Sequence, residues 1–172
     1  MSEPKWLTRS EVERIHKKVI DAGGGSHRLR DTSLLESALA RPKNLHSYGE
    51  KDHFQLAASY AEGISRNHSF VDGNKRTAFQ STDIFLYNNG IELKQDKGDK
   101  HVTMMENLGQ GKITREQAAD YLRENSKNIE KNQREDADNS ENTKQQFRNN
   151  REKKTESKAE KTLQSKSRDI TR

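Results

Sequence analysis

Apolar positions recur at helical spacing in six stretches of the chain, most of them marked by a capping signal. Thr8-Arg-Ser-Glu11 has capping-box spacing and leads into Val12, Ile15, His16, Val19 and Ile20, before Gly23-Gly24-Gly25 stops the helix. Asp31 suits the N-cap of a helix carrying Leu34, Leu35, Ala38 and Leu39, which Pro42 is expected to terminate. Asp52 opens a third, whose stripe (Phe54, Ala57, Ala58, Ala61, Ile64) is rich in alanine. Small residues let helices approach closely, so this helix is expected at the centre. A fourth runs from about Asn74 to Asn88 with Ala78, Phe79, Thr82, Phe85 and Leu86 on one side, and Asn89-Gly90 is its C-cap signal. Ile91-Glu92-Leu93 reads as a short strand or an extended link. Val102, Met105 and Leu108 predict a fifth helix before Gly109-Gln-Gly111, and Thr114 to Gln117 caps a sixth with Ala118, Tyr121 and Leu122 inward. About six helices and no convincing sheet predict an all-α compact bundle.

Several residues inside this pattern have ordinary readings. His16 lies on the apolar side of the first helix and reads as a core histidine without chemistry. Met104 and Met105 read as core filler. Residues 43–51 form a polar loop with one aromatic. His46 and His53 have no metal-ligand spacing and read as solvated. The three glycines lack the strand and the Lys-Ser/Thr of a phosphate-binding P-loop, so they are a helix stop and loop.

Composition divides the chain. Of its 172 residues 28% are hydrophobic and 34% charged, too polar for a wholly folded chain of this length. From about Asn125 to Arg172 there are thirteen Lys/Arg against nine Asp/Glu and six scattered apolar residues, with no stripe. That tail holds four of the five net positive charges. Two regions are therefore expected: a folded domain at 1–124 and a charged, disordered extension at 125–172. A basic tail can touch nucleic acid or an acidic partner, but this one is read as a solvated extension, having almost no aromatics for base stacking. Cysteine is absent, which excludes disulfides and thiolate chemistry. No apolar run is long enough to cross a membrane, and the first residues form no signal region. The expectation is a soluble cytoplasmic protein.

The chemistry concentrates in residues 67–79, Asn-His-Ser-Phe-Val-Asp-Gly-Asn-Lys-Arg-Thr-Ala-Phe. Gly73 and Asn74 tolerate unusual backbone angles and stand where an apolar helix begins. A glycine turn feeding a helix N-terminus presents unpaired N–H groups and the positive end of the helix dipole, an anion site that phosphate commonly fills. Lys75 and Arg76 add two full positive charges there. Alone, those charges oppose the helix dipole; a bound polyanion relieves the conflict. Asp72 is an oxygen ligand suited to Mg²⁺, and His68 can serve as a general base.

His68-Ser-Phe70-Val-Asp72-Gly73-Asn74-Lys75-Arg76 resembles the Fic motif, His-Pro-Phe-x-Asp/Glu-Gly-Asn-Gly-Arg. It is closer still to the Doc (death-on-curing) branch of the Fic/Doc family, where lysine replaces the second glycine and Thr-Ala follows, as Thr77-Ala78 does here. Arg30 to Pro42 is similar to the opening helix of Doc proteins. The resemblance covers about residues 5–124 and excludes the tail.

This resemblance implies the Fic/Doc fold, with a small flap loop at 43–51 that docks the target. It implies a toxin of a toxin–antitoxin system: a kinase that moves the γ-phosphate of ATP to a Thr/Ser hydroxyl of a translation factor, EF-Tu, and arrests translation. His68 would take the hydroxyl proton and Asp72 would hold Mg²⁺. Asn74 and the N–H groups of residues 73–76 would cradle phosphate. Lys75 and Arg76 would neutralise the transferred group, and Phe70 would be buried to anchor the loop. A cognate antitoxin with a disordered inhibitory segment would be the partner. Self-inhibited Fic proteins carry a Ser/Thr-x-x-x-Glu-Gly/Asn helix; Thr32-x-x-x-Glu36 is followed by Ser37 and reads as coincidental. Two alternatives stay open: a Fic-type AMP transferase, and a catalytically silent Fic-fold binding module.

Overall fold

The computed structural model describes residues 2–129. The order is α1 (Arg9–Gly23), α2 (Thr32–Ser47), α3 (His53–Asn67), α4 (Asn74–Asn88), β1 (Ile91–Leu93), α5 (Lys100–Gly109), α6 (Arg115–Glu124) and β2 (Ser126–Asn128). All six predicted helices form. Thr8 and Glu11 close a capping box on α1, as Thr114 and Gln117 do on α6. Asp31 accepts from the Ser33 and Leu34 N–H groups and Asp52 from that of Phe54.

The alanine-rich α3 is the hub, packed against α2, α4, α5 and α6. Leu56, Ala57, Ala58, Tyr60, Ala61 and Ile64 are fully buried along it. Met104 and Met105 are buried as expected. The Tyr60 hydroxyl accepts the Leu7 N–H at 3.2 Å, and burial pushes its pKa up to about 12, so it stays neutral.

Pro42 does not end α2. The helix runs on to Ser47 with the proline ring buried inside it. Leu45, in the turn beyond, packs against the core, and the His46 ring meets Trp6 edge-on at 5.4 Å. That docking offsets the hydrogen bond a helical proline forfeits. The carbonyl at position i−4 belongs to Ala38, and there α3 comes so close that a Cβ on Gly63 would lie 3.2 Å from the Ala38 oxygen. The expected loop at 43–51 shrinks accordingly. His46 and His53 are not free in solvent: the His46 side chain is 15% exposed and the His53 ring lies 6.4 Å from that of Phe85.

The chain also contains a small sheet, which the sequence pattern does not announce. β1 and β2 pair antiparallel, with Ile91 opposite Asn128 and Leu93 opposite Ser126. Lys94 N–H donates to the Asn125 carbonyl, Ile129 N–H to that of Gly90, and Lys127 pairs with Glu92 at 3.0 Å. Order therefore passes the expected boundary at residue 124. Ser-Lys-Asn has no apolar alternation to mark a strand; the pairing comes from the partner strand. The disorder expected further along the tail lies outside the described residues.

Asp83 of α4 is half-buried, and burial pushes its carboxyl up; nearby His101 opposes the shift and Glu92 adds to it. A carboxyl that holds its proton more tightly folded than unfolded begins to cost stability as pH rises past its unfolded-state pKa and costs it in full above its folded-state pKa. Asp83→Asn should therefore raise the melting temperature at neutral pH and lose that advantage in acid, as melts at both pH values will show.

Candidate active site

α3 stops at Asn67 because His68 turns into the left-handed region (φ 51°), the one non-glycine residue with positive φ among the described residues. The reversal lays Ser69 to Val71 beside the segment before α2. Arg30 and Asp31 N–H groups both donate to the Ser69 carbonyl, at 2.7 and 3.1 Å, and Val71 N–H donates to that of Arg28. Phe70 is 1% exposed and serves as the anchor. The Asn74 side chain locks the turn from the other end: its Oδ1 accepts the Phe70 N–H at 3.1 Å and its Nδ2 donates to the Phe70 carbonyl at 2.8 Å.

Gly73 then starts α4 in the left-handed region (φ 78°), where a Cβ would sit 2.8 Å from Ile20 Cδ1. Gly73→Ala should cost about 1–3 kcal/mol through backbone strain and overpacking, measured by urea melts. α4 has no side-chain N-cap. The N–H groups of its first turn therefore stay available at the positive end of its dipole.

The two cations part company here. Arg76 reaches back to the C-terminal end of α1, where Nη1 donates to the Val19 carbonyl at 3.0 Å and Nη2 to the Gly24 carbonyl at 2.9 Å. Its charge thus sits at the negative end of another helix, which removes half of the conflict at the α4 start. Lys75 makes no ion pair or side-chain hydrogen bond among the described residues, and its stem lies against Gly109 at the end of α5. Glu36 is engaged elsewhere, with Arg9 at 3.1 Å, so the Thr32-to-Glu36 spacing does not form an inhibitory contact with Arg76.

The Asp72 carboxylate accepts the Ser26 N–H at 2.8 Å, which ties the triple-glycine loop to the motif. His68 is exposed in a cleft of about 690 Å³ whose walls include Asp72, Gly73, Asn74, Lys75 and Arg76. Every residue expected to act on phosphate borders this one cleft, and the imidazole shares it with both cations. Val19, Phe79, Val102 and Met105 add apolar lining to the same cleft. Three further contributors were not visible in the pattern: His16, Ser26 and the carbonyls at the end of α1.

Among the described residues no group of three His, Cys, Asp or Glu gathers to hold a metal. Mg²⁺ is commonly held by one or two carboxylates together with substrate phosphates and water. Asp72 supplies one carboxylate, a donor set that suits an ion arriving with a nucleotide.

A family model described as the Fic/DOC family matches residues 6–86. Protein kinase doc of Escherichia phage P1 is 30% identical over 120 residues, 69% of this chain and 94% of that protein. The chain belongs to the Fic/DOC family. Toxin Doc of Mycolicibacterium smegmatis is 42% identical over 78 residues, 44% of this chain, and the match spans 59% of that relative's length. Both relatives place the chain in the Doc branch, the branch whose motif has lysine where Lys75 stands. No described helix of this Fic/DOC chain is long and apolar enough to cross a membrane.

Proposed function

We propose that the protein is the toxin of a toxin–antitoxin pair and acts as a kinase, moving the γ-phosphate of ATP to a Thr/Ser hydroxyl of a translation factor, EF-Tu by family resemblance. The observation that carries this reading is His68 in the same cleft as an unpaired Lys75 and an uncapped helix N-terminus. His68 takes the hydroxyl proton as the oxygen attacks the γ-phosphorus. The bond from that phosphorus to the bridging oxygen breaks, and ADP leaves. Lys75 and the first-turn N–H groups of α4 face the charge on the transferred group. Asp72 would hold Mg²⁺, which neutralises phosphate charge when bound. The Lys75 side chain occupies space that a glycine leaves open in the AMP-transferring motif, which favours presentation of the terminal phosphate. An antitoxin segment that folds over this cleft is the expected inhibitor, and the cytoplasm, where ATP and the target meet, the expected location.

ATP labelled at either the γ or the α position, incubated with the protein and a translation extract, tests the reading. Label from the γ position alone should appear on one protein. Transfer of the α label instead would establish AMP transfer, and transfer of neither would sink the enzyme reading.

A further inference from the structure

His16 was expected to be an inert core residue. It is 3% exposed, yet it touches the motif loop twice. Its ring stacks on Phe70 with centroids 3.8 Å apart and planes 7° from parallel. Its Nε2 lies 2.9 Å from the carbonyl oxygen of Asp72. A carbonyl only accepts, so Nε2 carries a proton and donates it to the Asp72 carbonyl.

We infer that His16 is a positioning residue for the transfer reaction, holding the turn from Phe70 to Asp72 so that the α4 N-terminus and His68 keep their relative places. The inference rests on the proposed kinase reading of the cleft. A leucine would fill the same apolar space on α1, so packing alone does not call for an imidazole. The hydrogen bond does: without it the Asp72 carbonyl loses its donor beside buried Phe70. The peptide it holds leads into Gly73, whose left-handed geometry sets the direction of the first-turn N–H groups. The other hydrogen bonds between α1, its following loop and the motif, among the described residues, run through the C-terminal end of the helix and the loop, by way of Arg76 and Ser26. His16 makes its hydrogen bond from further inside α1.

Three variants separate positioning from packing. His16→Phe keeps the stack and removes the donor; His16→Gln restores an N–H donor; His16→Leu substitutes for the first should it fail to fold. H16F is expected to fold, to keep KM for ATP within about threefold and to lose about 10–100-fold in kcat, the scale of a small misplacement of reacting groups. Hydrogen exchange at the Phe70 and Val71 amides should speed up while the α3 amides stay protected. H16Q should recover part of both effects. Wild-type kcat and unchanged exchange in H16F would overturn the assignment, as would activity falling only in step with the unfolded fraction. Should the wild type transfer no label, the kinase reading falls by itself. The exchange comparison still decides His16: faster exchange confined to the loop upholds positioning, and unchanged exchange ends it.

Discussion

His68→Ala should lower phosphoryl transfer by about 10²–10⁴-fold, the range over which a positioned general base contributes. The side chain is exposed and makes no hydrogen bond among the described residues, so its removal leaves no buried group unpaired. Its backbone is the complication. At φ 51° a non-glycine residue is strained, and alanine lacks the polar side chain that helps asparagine tolerate this region. His68→Asn is therefore the companion variant. It keeps the reversal that swings Ser69 and Phe70 against residues 28–31, but offers an amide that takes up no proton near neutral pH. H68N should melt near the wild type, and both variants should lose transfer over that range. Wild-type transfer by H68N with an intact fold would remove His68 from the mechanism.

Much of this arrangement was legible along the chain because it is local. The Thr8–Glu11 and Thr114–Gln117 boxes, the Asp31 and Asp52 caps and the alanine stripe of α3 each act within a few residues, and each forms as the pattern predicts. The motif was legible for the same reason: a glycine turn, an uncapped helix start and two cations are consecutive. Distant contacts decided the rest. Pro42 is a helix stop by its own chemistry, and only the docking of Leu45 and His46 carries α2 beyond it. Ser126–Asn128 is a strand because β1 lies beside it. Asn74 is read from sequence as a phosphate contact, and its amide also holds both backbone groups of Phe70, which lie outside its own helix. His16 showed its apolar face in the helical period, but nothing in that period says the face opposite it is the motif loop.

The same distinction between local charge and distant partner separates Lys75 from Arg76, which sequence alone ranks as equals. Lys75→Ala should cost transfer about 10²–10³-fold, comparable to deleting one preorganised donor to a transition-state oxyanion. It should not lower the melting temperature, because Lys75 has no hydrogen-bond or ion-pair partner among the described residues to abandon and its charge opposes the α4 dipole. Arg76→Ala removes two donors from the Val19 and Gly24 carbonyls at the end of α1. Those carbonyls are near solvent, so the loss should be about 1 kcal/mol, the size of an ordinary hydrogen bond and below the usual range for one to a charged group. R76A should therefore be both less stable and less active, and K75A only less active. Thermal melts set beside label transfer for the two variants read this directly. A K75A protein with wild-type transfer, paired with a dead R76A, would mean that nucleotide draws Arg76 away from α1 and that the grip on phosphate belongs to the arginine. Equal destabilisation by both variants would mean that Lys75 has a structural partner of its own.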